Sequence, residues 1–257
     1  LAGSAKPFNY NDIEHLKNIL EEGDVGVIYM EVRRGSEPAE GFLEGVRKLA
    51  DQFGAVLVFD ECTSGFRKNF GGLHLEYGVE PDIATFGKTL GNGYAITAAV
   101  GRRNIMQAAQ DTFISSTFWT ERIGPTAALA TLSVMQAEDA PRRIDEIGQQ
   151  IQLRWIETGR DHGLTITTNG LPSLATFQVE GFDQLLVKTF ITQEMLFRGF
   201  IAGTALYASL AHPDDVLNAY FESFDTVIAD LARLNGNDDL SARLPNGPSQ
   251  SGFQRLA

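Results

Sequence analysis

Apolar and polar positions follow two different periods at the start of the chain, and they predict helices that alternate with buried strands. Residues 13–22 carry apolar side chains three and four positions apart, which is typical of an amphipathic helix. Residues 25–30 (VGVIYM) and 55–59 (AVLVF) are short apolar runs of the kind that forms strands covered on both faces. A second helical period, over residues 40–53, separates them. This order predicts a right-handed crossover between two parallel strands.

Two further strands are predicted downstream, on either side of a glycine-rich turn. They cover residues 82–86 (DIATF) and 96–100 (ITAAV), and the turn covers residues 87–93 (GKTLGNG). Asp60 and Glu61 directly follow the second apolar strand. Ligands of parallel sheets bind beyond the carboxyl ends of the strands, so these two acids are candidates for a site.

The pattern changes after about residue 124, where longer helices accompany two strands. We expect this second part to be a layer of helices on a small sheet, an α+β arrangement that follows the α/β first part. The predicted elements are helices over 125–137, 141–159, 182–197 and 213–234, and strands over 165–168 and 174–179.

Composition narrows the classes of function. Among 257 residues, Lys and Arg number 21 against 33 Asp and Glu, which gives a net charge of −12. A surface of this sign repels nucleic acid and anionic membranes, so neither is an expected partner. The single cysteine, Cys62, cannot close an intramolecular disulfide, and no export signal begins the chain, so we expect a cytoplasmic protein. The four histidines show no ligand spacing, and no metal site is expected.

The glycine-rich turn raises two nucleotide-binding hypotheses. A phosphate loop of the Walker A type would need glycine where Asp82 stands, five residues before Gly87, and it would replace a predicted strand. A dinucleotide loop beginning at Gly91 would place Ile96 at its third glycine and would lead into a strand instead of a helix. The sequence argues against both, although the phosphate-loop ATPase stays as a testable alternative.

Asp60 and Lys88 together suggest a different chemistry. An acid at the end of a buried strand and a lysine on a glycine-bounded turn are what a pyridoxal phosphate (PLP) site requires. The lysine forms a Schiff base with the cofactor, and the carboxylate keeps the pyridine nitrogen protonated. Judged from these residues alone, a solvated lysine and a surface acid are an equally open interpretation.

Two motifs resolve this ambiguity because they resemble those of the class III aminotransferases. The motifs are residues 56–67 (VLVFDECTSGFR) and 81–93 (PDIATFGKTLGNG), which place the lysine 28 residues after the aspartate. Within that family the chain looks most like the glutamate-1-semialdehyde 2,1-aminomutases. The resemblance continues through residues 115–118, 198–201 and 209–212, and so covers most of the chain to about residue 234.

The resemblance implies a fold type I PLP-dependent transferase, which is the aspartate aminotransferase-like α/β fold with a mainly parallel sheet. Residues 1–134 would be the C-terminal part of the PLP-binding large domain, residues 135–240 a smaller α+β domain, and residues 241–257 a flexible tail. It also implies a cytoplasmic homodimer that uses PLP and acts on a small-molecule amino or keto substrate, as an aminotransferase or an aminomutase.

The resemblance further implies a role for each matched residue. Lys88 would form the Schiff base and Asp60 would pair with the pyridine nitrogen. Cys62 would pack against the cofactor ring, and Thr63 would lie near its phenolic oxygen. Thr117 would reach across the dimer interface to the cofactor phosphate of the partner subunit.

Members of the family also have a long N-terminal portion, with a phosphate-binding loop and an aromatic residue that stacks on the cofactor. The present sequence starts just before the helix that precedes the first strand, so the resemblance implies the C-terminal part of such an enzyme and a weaker hold on PLP. The alternative hypothesis, from another class, is a non-catalytic fragment or interaction module that keeps the fold without the cofactor.

Overall fold

The computed structural model describes residues 3–33, 35–115, 117 and 120–250. The chain divides into two units, the first ending at Arg142 and the second beginning at Arg143. None of the helices in the described ranges is both long and apolar enough to cross a membrane.

The first unit is built on a four-stranded sheet. Its strands are β1 (Val27–Glu31), β2 (Val56–Asp60), β3 (Ile83–Phe86) and β4 (Ala98–Gly101), and they lie side by side in that order. The first three strands are parallel, and β4 is antiparallel to β3. The predicted parallel pair of β1 and β2 is therefore confirmed, and so are the two strands that flank the glycine-rich turn.

Helices connect and cover these strands. Helix α1 begins after Asp12, whose carboxylate accepts a hydrogen bond from the His15 amide at 2.9 Å and so caps the helix. Helix α2 ends at Gly54, which adopts a φ of +68° that glycine tolerates best. The helices of this unit are α1 (Ile13–Glu21), α2 (Phe42–Phe53), α3 (His74–Tyr77), α4 (Arg103–Met106) and α5 (Ile123–Ala137), with 3-10 turns at Lys88–Leu90 and Gln107–Asp111.

The core of the first unit lies between α2 and the sheet. Val46 on α2 is completely buried, as are Leu57 and Phe59 on β2. The apolar residues whose spacing predicts this helix and this strand are therefore the ones that are buried. Their removal from water is the main favourable contribution to folding. The burial fixes the direction of β2 and therefore the place where its last residue, Asp60, leaves the sheet.

The second unit carries helices on a three-stranded antiparallel sheet in the order β5-β6-β7. Its centre is an aromatic cluster in which the Trp155 indole donates a hydrogen bond to the Tyr220 hydroxyl at 2.9 Å. Helix α6 (Ala140–Asp161) begins three residues before this unit. The other elements are β5 (Ile166–Asn169), β6 (Leu174–Val179), α7 (Gln184–Phe197), β7 (Ala205–Tyr207), α8 (Asp214–Ala232) and α9 (Asn237–Ala242).

The end of the described chain differs from the flexible tail predicted over 241–257. Leu240 and Leu244 are buried in the core of the second unit, and the Ser249 amide donates a hydrogen bond to the Thr189 hydroxyl at 2.9 Å. These two leucines, four residues apart, anchor the segment. Their spacing indicates a buried face, but the prediction of a flexible tail rests on a composition rich in Asn, Gly, Ser and Pro. Residues 251–257 of the predicted tail lie outside the described residues.

Candidate active site

The strand register brings three polar residues to the same level at the carboxyl edge of the parallel strands. Glu31 at the end of β1 is in register with Asp60 at the end of β2, and Asp60 is in register with Thr85 on β3. Two residues after the end of β3, the chain reaches Lys88. The sheet therefore carries the aspartate and the lysine to one edge, where parallel sheets bind their ligands.

Among the described residues, Cys62, Thr85 and Tyr29 donate hydrogen bonds to the Asp60 carboxylate. Its Oδ1 accepts one from the Cys62 amide at 2.9 Å and one from the Thr85 hydroxyl at 3.5 Å, and its Oδ2 accepts one from the Tyr29 hydroxyl at 2.8 Å. Partial burial, the largest single influence, raises the pKa of Asp60. The hydrogen bonds from Cys62 and Tyr29 and the positive charge of Lys88 together outweigh it, so the pKa lies below its ordinary value. Asp60 is therefore a carboxylate at neutral pH.

Lys88 begins a 3-10 turn and has an unusual backbone conformation. Its φ is +39°, in the left-handed region that residues other than glycine and asparagine seldom adopt. The exposed ammonium Nζ donates a hydrogen bond to the Thr63 hydroxyl at 2.5 Å. Backbone strain of this kind is found most often at functional sites, where the surrounding structure enforces it.

Cys62 and Thr63 lie in the loop that follows Asp60. The Cys62 sulfur is 3.8 Å from the Thr85 hydroxyl, and burial raises the pKa of this thiol. A neutral, partly buried thiol behaves as a small apolar group and not as a nucleophile. Thr63 is brought next to Lys88, as described above, so both loop residues named by the resemblance lie at the Asp60 and Lys88 site.

A buried polar cluster anchors this loop. The Glu61 carboxyl group is 1% exposed and accepts hydrogen bonds from the Ser64 hydroxyl and, at 2.9 Å, from the His74 amide. The His74 ring nitrogen Nδ1 also lies 2.9 Å from Glu61 Oε1. Glu61 thus joins the start of the loop to the start of α3 and fixes the path of Cys62 and Thr63 between them.

Asp82 has a structural position that is incompatible with a phosphate loop. Its Oδ2 accepts hydrogen bonds from the Leu57 amide at 2.8 Å and from Arg47 at 3.0 Å, and its Oδ1 lies 3.1 Å from Arg102. The residue is buried and begins the segment that enters β3. A strand with a buried carboxylate cannot provide the ring of free amides that a triphosphate needs.

Thr117 is exposed and lies in a turn. Within the described residues it shares no hydrogen bond with Asp60, Thr63 or Lys88. Its sequence neighbours Ser116 and Phe118 lie outside the described residues. The role of Thr117 across a dimer interface therefore stays a prediction.

Sequence reasoning missed two partners of Asp60, namely Tyr29 and Thr85. Side chains alternate along a strand, so Tyr29 shares a face of the sheet with Glu31, which is in register with Asp60. Thr85 is the direct register partner of Asp60 on the other side. Both could have been found by aligning the ends of the predicted strands before assigning contacts.

Comparisons with known proteins agree with the motifs. The family model for class-III aminotransferases matches residues 24–176. A 3-aminobutyryl-CoA aminotransferase of Cloacimonas acidaminovorans is 37% identical over 174 residues, which cover 64% of this chain and 42% of the relative. A glutamate-1-semialdehyde 2,1-aminomutase of Heliobacterium modesticaldum is 34% identical over 176 residues, which cover 65% of this chain and 40% of the relative. The chain thus spans less than half the length of these curated relatives.

Solved structures show the same fold. The FumI protein of Sphingopyxis sp. MTA144, in its PLP internal aldimine form, superposes with a TM-score of 0.83 at 23% identity and covers 91% of this chain and 60% of its own. An omega-transaminase from Sphaerobacter thermophilus superposes with a TM-score of 0.78 at 20% identity over 88% of this chain and 57% of its own. The predicted fold type I architecture is therefore confirmed. Because the family model matches more than half of the chain, the protein belongs to the class-III aminotransferases.

Proposed function

We propose that this chain forms the Asp60 and Lys88 side of an active site that transfers amino groups with pyridoxal phosphate. The observation that carries the proposal is the meeting of an ionised Asp60 carboxylate and the Lys88 amine at the carboxyl edge of the sheet. Membership of the class-III aminotransferases supports PLP as the cofactor, and so do the PLP-bound structures that share the fold.

The residues present fit the ring and aldehyde ends of PLP. A carboxylate oxygen can accept two hydrogen bonds, and Asp60 Oδ2 accepts one, from Tyr29, so it can accept another from a protonated ring nitrogen. Lys88 Nζ lies on an exposed turn where an aldehyde can reach it. When bound, PLP supplies an electron sink that makes the Cα–H bond of an amino compound acidic.

Three side chains then have defined tasks. Lys88 would hold the cofactor through its aldehyde carbon, whose oxygen would leave as water, and once released its amine could carry the proton from the substrate Cα to the cofactor. Thr63 accepts a hydrogen bond from Lys88 Nζ and so directs this amine. Asp60 is ionised and would favour the protonated form of the ring nitrogen when the cofactor is bound.

The finer activity is either intermolecular amino transfer or amino exchange within one molecule. The aminotransferase of Cloacimonas and the aminomutase of Heliobacterium support amino-group chemistry on a small amino or keto compound in both cases. An aminotransferase releases the keto product, whereas an aminomutase returns the amino group to a neighbouring carbon.

Our proposal also includes a homodimer, which is supported by exposed apolar side chains on α5, namely Ile123, Leu129 and Val134. It includes a cytoplasmic location as well, which is supported by the lone cysteine.

Covalent trapping tests the proposal. The purified chain is incubated with PLP, reduced with borohydride, digested and analysed by mass spectrometry. We expect a pyridoxyl phosphate adduct on Lys88, no adduct in Lys88→Ala, and full labelling in Lys48→Ala, which removes an exposed lysine of α2. An unmodified Lys88 in the wild-type chain would overturn the proposal and favour the non-catalytic module.

A further inference from the structure

We propose that Tyr29 is a positioning residue of this site, whose phenol fixes the orientation of the Asp60 carboxylate and thereby strengthens the binding of the cofactor ring. The inference rests on the proposed PLP function and assigns it a residue that neither motif contains. Tyr29 lies on β1, outside both motifs, and its hydroxyl donates to Asp60 Oδ2 at 2.8 Å.

The distribution of donors gives Tyr29 a distinct task. Cys62 and Thr85 both donate to Oδ1, and Tyr29 donates to Oδ2. If only Oδ1 accepted hydrogen bonds, the carboxylate could rotate about its Cβ–Cγ bond. The phenol fixes the second oxygen and leaves it one acceptor position for a further donor.

The charges around Asp60 are compatible with this task. Among the described residues, the titratable groups that face the carboxylate are Tyr29 from β1, Cys62 from the loop and Lys88 from the turn after β3. The hydrogen bond to Asp60 raises the pKa of Tyr29, and burial raises the pKa of Cys62. The phenol therefore remains a neutral donor at neutral pH, and Lys88 carries the positive charge of the group.

The exposure of Tyr29 separates this role from a purely structural one. The residue is 56% exposed, so its ring contributes little to the core of the first unit. Removal of the hydroxyl in Tyr29→Phe keeps the ring and the strand and deletes the hydrogen bonds of the phenol with Asp60 and Thr85. The change therefore tests the orientation of Asp60 without threatening the fold.

The first measurement needs no cofactor. The Asp60 carboxyl carbon is followed by NMR through a pH titration of the cofactor-free chain, with its signal assigned by its loss in Asp60→Asn. We expect the titration midpoint to move upward in Tyr29→Phe, because a hydrogen bond that favours the ionised form is gone. Tyr207→Phe, at a 56% exposed tyrosine of the second unit, should leave the midpoint unchanged. An unchanged midpoint in Tyr29→Phe would overturn the inference.

The second measurement is the dissociation constant of PLP for the same three proteins. Loss of one partly exposed hydrogen bond should weaken binding about two- to tenfold in Tyr29→Phe and leave it unchanged in Tyr207→Phe. Equal or tighter binding by Tyr29→Phe would refute the positioning role while the proposed function stands, since tighter binding means that the phenol competes with the ring nitrogen. A wild-type chain that binds no PLP would overturn the proposed function itself.

Discussion

Replacement of Glu61 by alanine should destabilise the first unit and loosen the loop that carries Cys62 and Thr63. The Ser64 hydroxyl and the His74 amide are both buried, and both donate to Glu61. In Glu61→Ala these two donors lose their acceptor while they remain out of contact with water, and the His74 ring also loses its contact with Glu61 Oε1.

The magnitude follows from those two donors. A buried donor without a partner costs about 1 to 3 kcal/mol, so two of them cost about 2 to 6 kcal/mol. This is a large part of the about 5 to 15 kcal/mol that stabilises a typical domain. Glu61→Gln keeps one carbonyl oxygen as an acceptor and should lose about half as much. Glu76→Ala removes an exposed acid on α3, the helix that His74 begins, and should change stability by about 0.5 kcal/mol or less.

Two assays measure this effect. Urea unfolding followed by circular dichroism gives the free energy of unfolding for the wild type and the three variants. Hydrogen exchange read by mass spectrometry then locates the change, and we expect faster exchange over residues 60–78 in Glu61→Ala. If Glu61→Ala and Glu76→Ala unfold at the same urea concentration, the two donors find other partners and the proposed anchor does not exist.

Two further predictions concern carboxylates of the first unit. The pKa of Asp60 is lower in the folded chain than its ordinary value of about 3.9. The ionised carboxylate therefore contributes fully to stability above about pH 3.9, and this contribution is lost as the pH falls through the lowered pKa. When urea midpoints are measured over a series of pH values, Asp60→Asn should reduce their fall at acid pH. Asp82→Ala should cost about 3 to 5 kcal/mol because it leaves the mostly buried Arg47 and the Leu57 amide without this partner, whereas Arg102→Ala removes a half-exposed ion pair worth about 1 kcal/mol or less. Equal urea midpoints for the two variants would contradict this difference.

The long elements of the fold could be predicted from the sequence because each one repeats its period several times. Helices α2 and α8 and strand β6 have nearly the predicted bounds. Helices α3 and α4 have four residues each, and β7 has three. Such elements are too short to display a period, and their positions depend on contacts made elsewhere in the chain.

The candidate site was predictable to a similar degree. The order and spacing of the motifs predict Asp60 and Lys88 as the two principal residues before any geometry is known. The contact of Tyr29 with Asp60 depends on strand register, and the contact of Glu61 with His74 depends on the path of a loop. Neither is encoded in a local pattern, because the first requires two predicted strands to be aligned and the second requires the path of the folded loop.

The left-handed backbone at Lys88 has a consequence for laboratory evolution. A lysine at a φ of +39° costs about 1 kcal/mol relative to glycine, which adopts this conformation freely. Libraries of this chain selected only for thermal tolerance or expression should therefore enrich Lys88→Gly, and only a screen that rewards amino-group chemistry should retain the lysine. A stabilised scaffold obtained without such a screen would lose the Lys88 amine first, and with it the proposed function.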